Sequence, residues 1–367
     1  MSELNSSLSR RIFCQKSTLG IGSALCSVDL LSKNQRDSKI PLGFDNFSIR
    51  ALGWNAEQLL DYAQKKEVNC ILFSDLGVYQ SFDKNYLSDL RKEASNHDIL
   101  IHAGTGGICP TSNSFKSTYG SAVEHLRLLI NVAKNLGSSV ARCYLGNMRD
   151  RIGKGGIERH IKETIRVLKS VKNEALDAGV TIAVENHAGD MHSLELVDLI
   201  ERAGPEYVGA TIDSGNATWT LENPIDTLRN LAPYAVSSGI RDSMVWNSKK
   251  GISVQWTSMG KGCIDLKTFT SEWKRLCPKL PMQLETISGF SKEFPILEKE
   301  FWSAYSNISA RDLSQFLLLA RNGEKIKSFN PPKDKDRKEA QKEYQLIELE
   351  NSLEYCKQVL GIGTSKT

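Results

Sequence analysis

Val180-Thr181-Ile182-Ala183-Val184-Glu185-Asn186-His187 is an apolar, β-branched run that stops abruptly on an acid. A strand with one wet face alternates polar and apolar residues. This run does not, so it reads as a strand covered on both faces, as in a parallel sheet. Two other stretches repeat the pattern. Val208–Asp213 ends in Asp213-Ser214-Gly215-Asn216, and Met282–Thr286 carries Leu284-Glu285-Thr286. An acid placed at the mouth of a buried strand costs stability unless it is solvated, paired or bound to a cation. Three acids at equivalent places point to a shared site. The structural alternative is that they are surface acids capping helix N-termini.

Working outward, eight strand candidates appear: Ile40–Phe44, Asn69–Ser74, Ile99–Ala103, Val140–Leu145, Val180–Glu185, Val208–Asp213, Ala235–Ile240 and Met282–Thr286. Helical patterns separate them. Ile157, Ile161, Ile165 and Leu168 form one apolar stripe, and Val123, Leu126, Ile130 and Ala133 form another that stops near Gly137. Leu194, Val197 and Ile200 follow Ser193, a candidate N-cap, and Gly204-Pro205 ends that helix. Eight strands alternating with helices over about 250 residues predict an α/β fold of the (β/α)8 type, a TIM barrel. An open doubly wound sheet would want a Gly-rich phosphate turn after its first strand. The run Gly104-Thr105-Gly106-Gly107 instead follows the third strand and reads as a flexible loop.

The expected organisation is an N-terminal segment over 1–38, a barrel over 39–305 and a C-terminal helical extension over 306–367. In the first, Ser9-Arg10-Arg11-Ile12-Phe13 looks like a twin-arginine export signal, with Ser17–Leu31 as a weakly apolar stretch behind it. That predicts a periplasmic protein, or a cytoplasmic one if the arginine pair is fortuitous. In the extension, Asn330-Pro331-Pro332 breaks the chain. The charged run Lys333–Lys342 follows, and Leu346, Leu349, Leu353, Cys356 and Leu360 form a helical stripe expected to pack on the barrel.

A net charge of +4 with 25% charged residues gives no concentrated basic stripe, which argues against a nucleic-acid partner. No apolar stretch reaches the length of a membrane span. The eight cysteines contain no Cys-x-x-Cys pair, so a zinc ribbon or a thioredoxin-type dithiol is not indicated.

The motifs Val184-Glu185-Asn186-His187, Thr211-Ile212-Asp213-Ser214-Gly215-Asn216, Arg241-Asp242-Ser243 and Leu284-Glu285, in this order, resemble the strand ends of the xylose-isomerase-like sugar phosphate isomerase/epimerase family. The resemblance covers roughly residues 40–300. It implies a divalent metal held by Glu185, Asp213, a histidine and Glu285, with Glu185 and Glu285 also exchanging a proton with the substrate carbon. It also implies substrate contacts from His187, Asn216 and Arg241. One position departs from the pattern. Gly239 stands where the family histidine is expected. An oxygen-rich set of this kind suits Mn²⁺ or Mg²⁺ better than Zn²⁺. Trp256, with Trp246, is a candidate for stacking on a sugar face, His102 is a candidate contact at the third strand end, and Arg142 either reaches the pocket or pairs with a barrel acid.

The leading expectation is therefore a metal-assisted sugar isomerase or epimerase acting on a ketose, keto-sugar or sugar derivative through an enediolate. A keto-glycoside lyase of the same fold and a noncatalytic carbohydrate-binding barrel remain alternatives. An endonuclease of this fold would need many histidines at the barrel mouth, and the chain has six in all. The expected partner is a small sugar, with room for a homo-oligomer.

Overall fold

The computed structural model describes residues 40–363. The expected export signal lies outside the described residues. Eight strands form one parallel sheet: β1 (Leu42–Asp45), β2 (Cys70–Phe73), β3 (Leu100–Gly107), β4 (Val140–Tyr144), β5 (Thr181–Glu185), β6 (Val208–Asp213), β7 (Ala235–Gly239) and β10 (Met282–Leu284). Their order is β10-β1-β2-β3-β4-β5-β6-β7. The remaining gap is bridged by Ile240, whose N–H donates to Gln283 O at 2.7 Å while its carbonyl accepts from Glu285 N at 2.9 Å. The sheet is thus a nearly closed barrel, as the sequence predicts. All eight strand candidates fall on these strands, with ends shifted by a few residues.

Helices cover the outside. α1 spans Ala56–Lys65, α2 Lys84–Asn96, α3 Ala122–Leu136, α4 Gly156–Lys169, α5 Lys172–Ala178, α6 Ser193–Ala203, α7 Ser214–Ala217, α8 Pro224–Leu231 and α9 Leu266–Leu276. The stripe Ile157, Ile161, Ile165 and Leu168 is buried along α4. α3 starts on a capping box between Ser121 and Glu124 and ends at Gly137, whose φ of 71° suits glycine.

Three local expectations are corrected. The cap of α6 is His192, not Ser193; the Ser193 hydroxyl instead bonds Glu222. Leu194 faces solvent, and Leu196, Leu199 and Ile200 carry the buried face. The Gly104–Gly107 run is not a loop but the end of β3, with a register irregularity against β4. A Cβ at Gly104 would come within 3.0 Å of Ser74 Cα, so neighbouring backbones approach closely there.

The sequence reading missed a second sheet. β8 (Asp242–Ser248), β9 (Gly251–Thr257) and β11 (Ser291–Phe294) form an antiparallel ribbon in the order β11-β9-β8. It grows directly out of β7. The extension forms α10 (Ala310–Asn322) and α11 (Arg337–Gln358). α11 packs on its own barrel, with Leu349, Leu353 and Cys356 buried. Gln345 Oε1 accepts from Ala51 N at 2.8 Å, and Ser352 Oγ accepts from Met259 N at 3.0 Å. Among the described residues no helix is long and apolar enough to cross a membrane.

Candidate active site

The C-terminal ends of β4, β5 and β6, together with the segments that follow β7 and β10, open on a cavity of about 220 Å³. That is below the range of pockets for drug-sized ligands, about 300–1000 Å³. Arg142, His187, Asn216, Arg241, Trp256 and Glu285 are among the residues that line it.

Glu185 ends β5, Asp213 ends β6 and Glu285 follows β10. Parallel strands in register bring these ends to one mouth. One oxygen from each lies within 4.8 Å of the others, and all three side chains are buried. The three acids therefore converge as the sequence predicts, and the grouping is tight enough to hold a cation. Asp213 also serves as a helix cap, its Oδ1 accepting from Asn216 N at 2.8 Å at the start of α7. Asp213 thus caps a helix, as the structural alternative expects, but it is buried with the other two acids and not at the surface.

The cations next to the acids belong to the chain itself. Arg142 on β4 donates through Nε to Glu185 Oε2 at 2.6 Å and through Nη1 to Thr105 O at 2.9 Å. Arg241, two residues past β7, donates from Nη2 to both Asp213 Oδ2 and Glu285 Oε2. Asn216 Nδ2 donates to Glu185 Oε1 at 3.0 Å. The Arg241 guanidinium lies 4.4 Å from the Trp256 ring centroid, a cation–π contact. Its Nε and Nη1, and Asn216 Oδ1, are buried without a partner among the described residues.

A fourth acid, Asp45 at the end of β1, escaped the sequence reading. Its Oδ1 accepts from Phe47 N at 2.7 Å and from Ser74 Oγ at 2.5 Å. The signal that found the others, an acid directly after an apolar run, applies equally to Leu42-Gly43-Phe44-Asp45. Four buried acids against two arginines leave an excess of negative charge. Burial, reinforced by Glu285 and opposed by Arg142, pushes Asp45 and Glu185 each up to about 7. Burial drives Asp213 well above its ordinary value, opposed by Arg241 and reinforced by Glu285 and Glu185.

His187 stacks on Tyr144 with ring centroids 3.6 Å apart, and its Nδ1–H donates to Gly146 O at 2.6 Å. Burial lowers its pKa to about 3, so the ring is neutral and Nε2 remains an acceptor. Trp256 on β9 donates from Nε1 to Gly215 O at 2.9 Å and stacks on Trp219, centroids 4.3 Å apart. Trp219, on the turn after α7, lines the cavity and was not singled out in the sequence.

Two expected contacts are not brought to the cavity. His102 points into the barrel interior, with Nδ1 2.9 Å from Ser237 Oγ and 3.1 Å from Gln283 Oε1. Its side chain faces inward one layer below the mouth, which makes it a structural group. Trp246 is buried in β8 away from the lining.

The sequence profile of the xylose isomerase-like TIM barrel matches residues 49–288. The chain belongs to the xylose isomerase-like TIM barrel family. Within the family fold it is similar to the xylose isomerase domain protein of Planctomyces limnophilus, at 16% identity and a TM-score of 0.53 over 77% of this chain and 99% of that one. It is similar to a D-psicose 3-epimerase crystallised in the presence of D-fructose, at 12% identity and a TM-score of 0.53 over 88% and 100%. It is also similar to IolI with a bound zinc atom, at 15% identity and a TM-score of 0.52 over 76% and 96%. At these identities the likeness is one of fold. In sequence it is similar to the Escherichia coli K12 protein YihM, 27% identical over 191 residues. The match spans about half the length of each of those two chains.

Does this family member's acid cluster fit a divalent ion? The expected histidine is Gly239, which supplies no donor. Asp213 Oδ2 and Glu285 Oε2 are held by one guanidinium, and Glu185 by another and by Asn216. An ion on those oxygens would face both guanidiniums at short range in a buried site. As arranged, the residues do not fit the ion.

Proposed function

We propose that the chain is an isomerase or epimerase acting on a small ketose or keto-sugar, moving a proton at the carbon beside a carbonyl. The observation that carries this reading is the convergence of Glu185, Asp213 and Glu285 within 4.8 Å beneath a small, aromatic-walled cavity. One glutamate removes the proton from the carbon next to the carbonyl, and the C–H electron pair moves into an enediolate. The other glutamate returns a proton. Return to the opposite face of the same carbon gives the epimer; return to the neighbouring carbon, with the hydroxyl proton passing from one enediolate oxygen to the other, gives aldose–ketose isomerisation. Glu285 reaches the cavity directly. Glu185 lies beside Arg142 and Asn216, which hold its carboxylate in place. His187 Nε2 and Asn216 Oδ1 offer acceptors to sugar hydroxyls, and Trp219 offers aromatic surface, backed by Trp256, which is itself held between Trp219 and the Arg241 guanidinium.

The oxygen-rich donor set suggested Mn²⁺ or Mg²⁺ dependence. Because the donors are taken by Arg142 and Arg241, no step of this reading runs through a metal. The same arginine pairing, with Gly239, favours a second reading, a carbohydrate-binding barrel that does no chemistry.

Solvent-deuterium incorporation into a panel of ketoses and keto-glycosides tests the proposal. Incorporation that disappears in both Glu185→Gln and Glu285→Gln supports it. Binding without any incorporation supports the second reading instead.

A further inference from the structure

Arg241 is placed with unusual provision around it. Two glycines make room for the side chain. A Cβ on Gly215 would come within 2.3 Å of Arg241 Cγ and Cδ, so any residue there other than glycine would evict the stem. A Cβ on Gly239 would lie 3.3 Å from Asp213 Oδ2 and 3.3 Å from Glu285 Oε2, the two oxygens that the Arg241 Nη2 group holds. A larger side chain at 239 and the guanidinium would therefore compete for one place. The backbone at 241 is fixed as well. Arg241 N donates to Ser214 Oγ at 3.0 Å, and Ser214 Oγ donates back to Arg241 O at 2.6 Å. Trp256 covers the guanidinium from one side.

We propose that Arg241 is the resident cation of this site, its guanidinium standing in place of a divalent metal and offering its free N–H donors to the carbonyl and enediolate oxygens of the substrate. The inference rests on the proton-transfer reading above and names its electrophile. Arg241 Nη2 gathers Asp213 and Glu285. Nε and Nη1 are buried, carry protons and have no partner among the described residues, while Arg241 itself lines the cavity. Donors held in a buried site in this way stabilise a developing oxyanion without reorganising during the reaction. The bland alternative is that Arg241 only neutralises buried acids. The proposal differs from it in requiring those two donors, which have no partner among the described residues, to meet the substrate's oxygens.

The test uses the full chain, dialysed against EDTA. Titration with Mn²⁺, Mg²⁺ and Zn²⁺ by calorimetry and by thermal shift is expected to show no stoichiometric binding. Deuterium incorporation is expected to be unchanged by EDTA or added Mn²⁺, and to fall by at least about 100-fold in Arg241→Met. The pair Gly239→His with Arg241→Ala is expected to bind Mn²⁺ at least about tenfold more tightly than the wild type. Stoichiometric ion binding by the wild type, or equal Mn²⁺ affinity in the wild type and the double variant, overturns the inference while leaving the isomerase reading intact. Absence of incorporation with every sugar removes the isomerase reading, and the metal titration then decides the cation by itself. Should Arg241→Met fail to fold, Arg241→Lys, which keeps a positive charge against the acids but lacks the guanidinium's further N–H donors, takes its place, and unchanged deuterium incorporation in either variant overturns the inference.

Discussion

Arg142 reaches from β4 to the neighbouring strand end and closes on Glu185, two charges that are 4% and 1% exposed. Removing one member of such a pair strands the other in a medium that solvates it poorly. Arg142→Met is expected to destabilise the fold by about 3–5 kcal/mol. Glu185→Gln keeps the shape and hydrogen-bonding capacity and should cost less. Urea unfolding of both variants checks the order, and equal costs would contradict it.

The acid–base reading has a pH signature. Burial pushes the Glu185 carboxyl up to about 7, with Arg142 pulling it down and Glu285 pushing it up. A general base must be ionised, so deuterium incorporation should rise through about pH 7 and then level off. The stability effect has the opposite sense. The folded group holds its proton more tightly than the unfolded one, whose ordinary value is 4.5. Its contribution is therefore present below about pH 4.5 and lost as pH rises through about 7. Unfolding free energies measured across this range should flatten in Glu185→Gln, with Asp45 keeping its own share of the slope. A wild-type rate independent of pH between 5 and 9 would rule out a base of this kind.

Gly215→Ala adds one methyl group against the Arg241 stem. Overpacking of this sort costs about 1–3 kcal/mol. Because the displaced guanidinium leaves Asp213 and Glu285, ligand binding should fall further than stability does. Parallel measurements of melting temperature and sugar affinity separate the two effects.

Trp219 and Trp256 form the aromatic wall, stacked at 4.3 Å. Ligand binding should change tryptophan fluorescence. Trp219→Phe should raise KM several-fold with little change in kcat, since it alters contact with the sugar and leaves the acids in place. A change in kcat alone would place Trp219 in the chemistry instead.

Leu353 is 3% exposed on the inner face of α11. Leu353→Ala should cost about 2–5 kcal/mol. Denaturant unfolding that remains a single transition would show that this helix melts together with the barrel.

The strands were legible because burial on both faces leaves near-continuous apolar runs, and Glu185, Asp213 and Glu285 stood out as acids directly after such runs. Asp45, directly after Leu42-Gly43-Phe44, carries the same mark. The ribbon of β8, β9 and β11 was not legible as a sheet. Its partners Ser291–Phe294 lie far along the chain and read Ser-Lys-Glu-Phe, with little β-forming character. The pairing of Arg241 with Asp213 and Glu285 was equally hidden. The three residues sit on different segments, and only the closed barrel brings them together. What the sequence did show was the vacancy at Gly239; the structure shows what competes for that space.

One hydrogen bond at the far end of the chain has a further effect. Gly363 N–H donates to Ile40 O at 2.8 Å, just ahead of the strand that completes the barrel against β10. During synthesis β1 can pair early with β2, but its other edge and its tether must wait for Met282–Leu284 and Gly363 to emerge. Ribosome-bound chains truncated before residue 282 should keep the β10-facing edge of β1 open, with β2 on the other edge, and be prone to association through it.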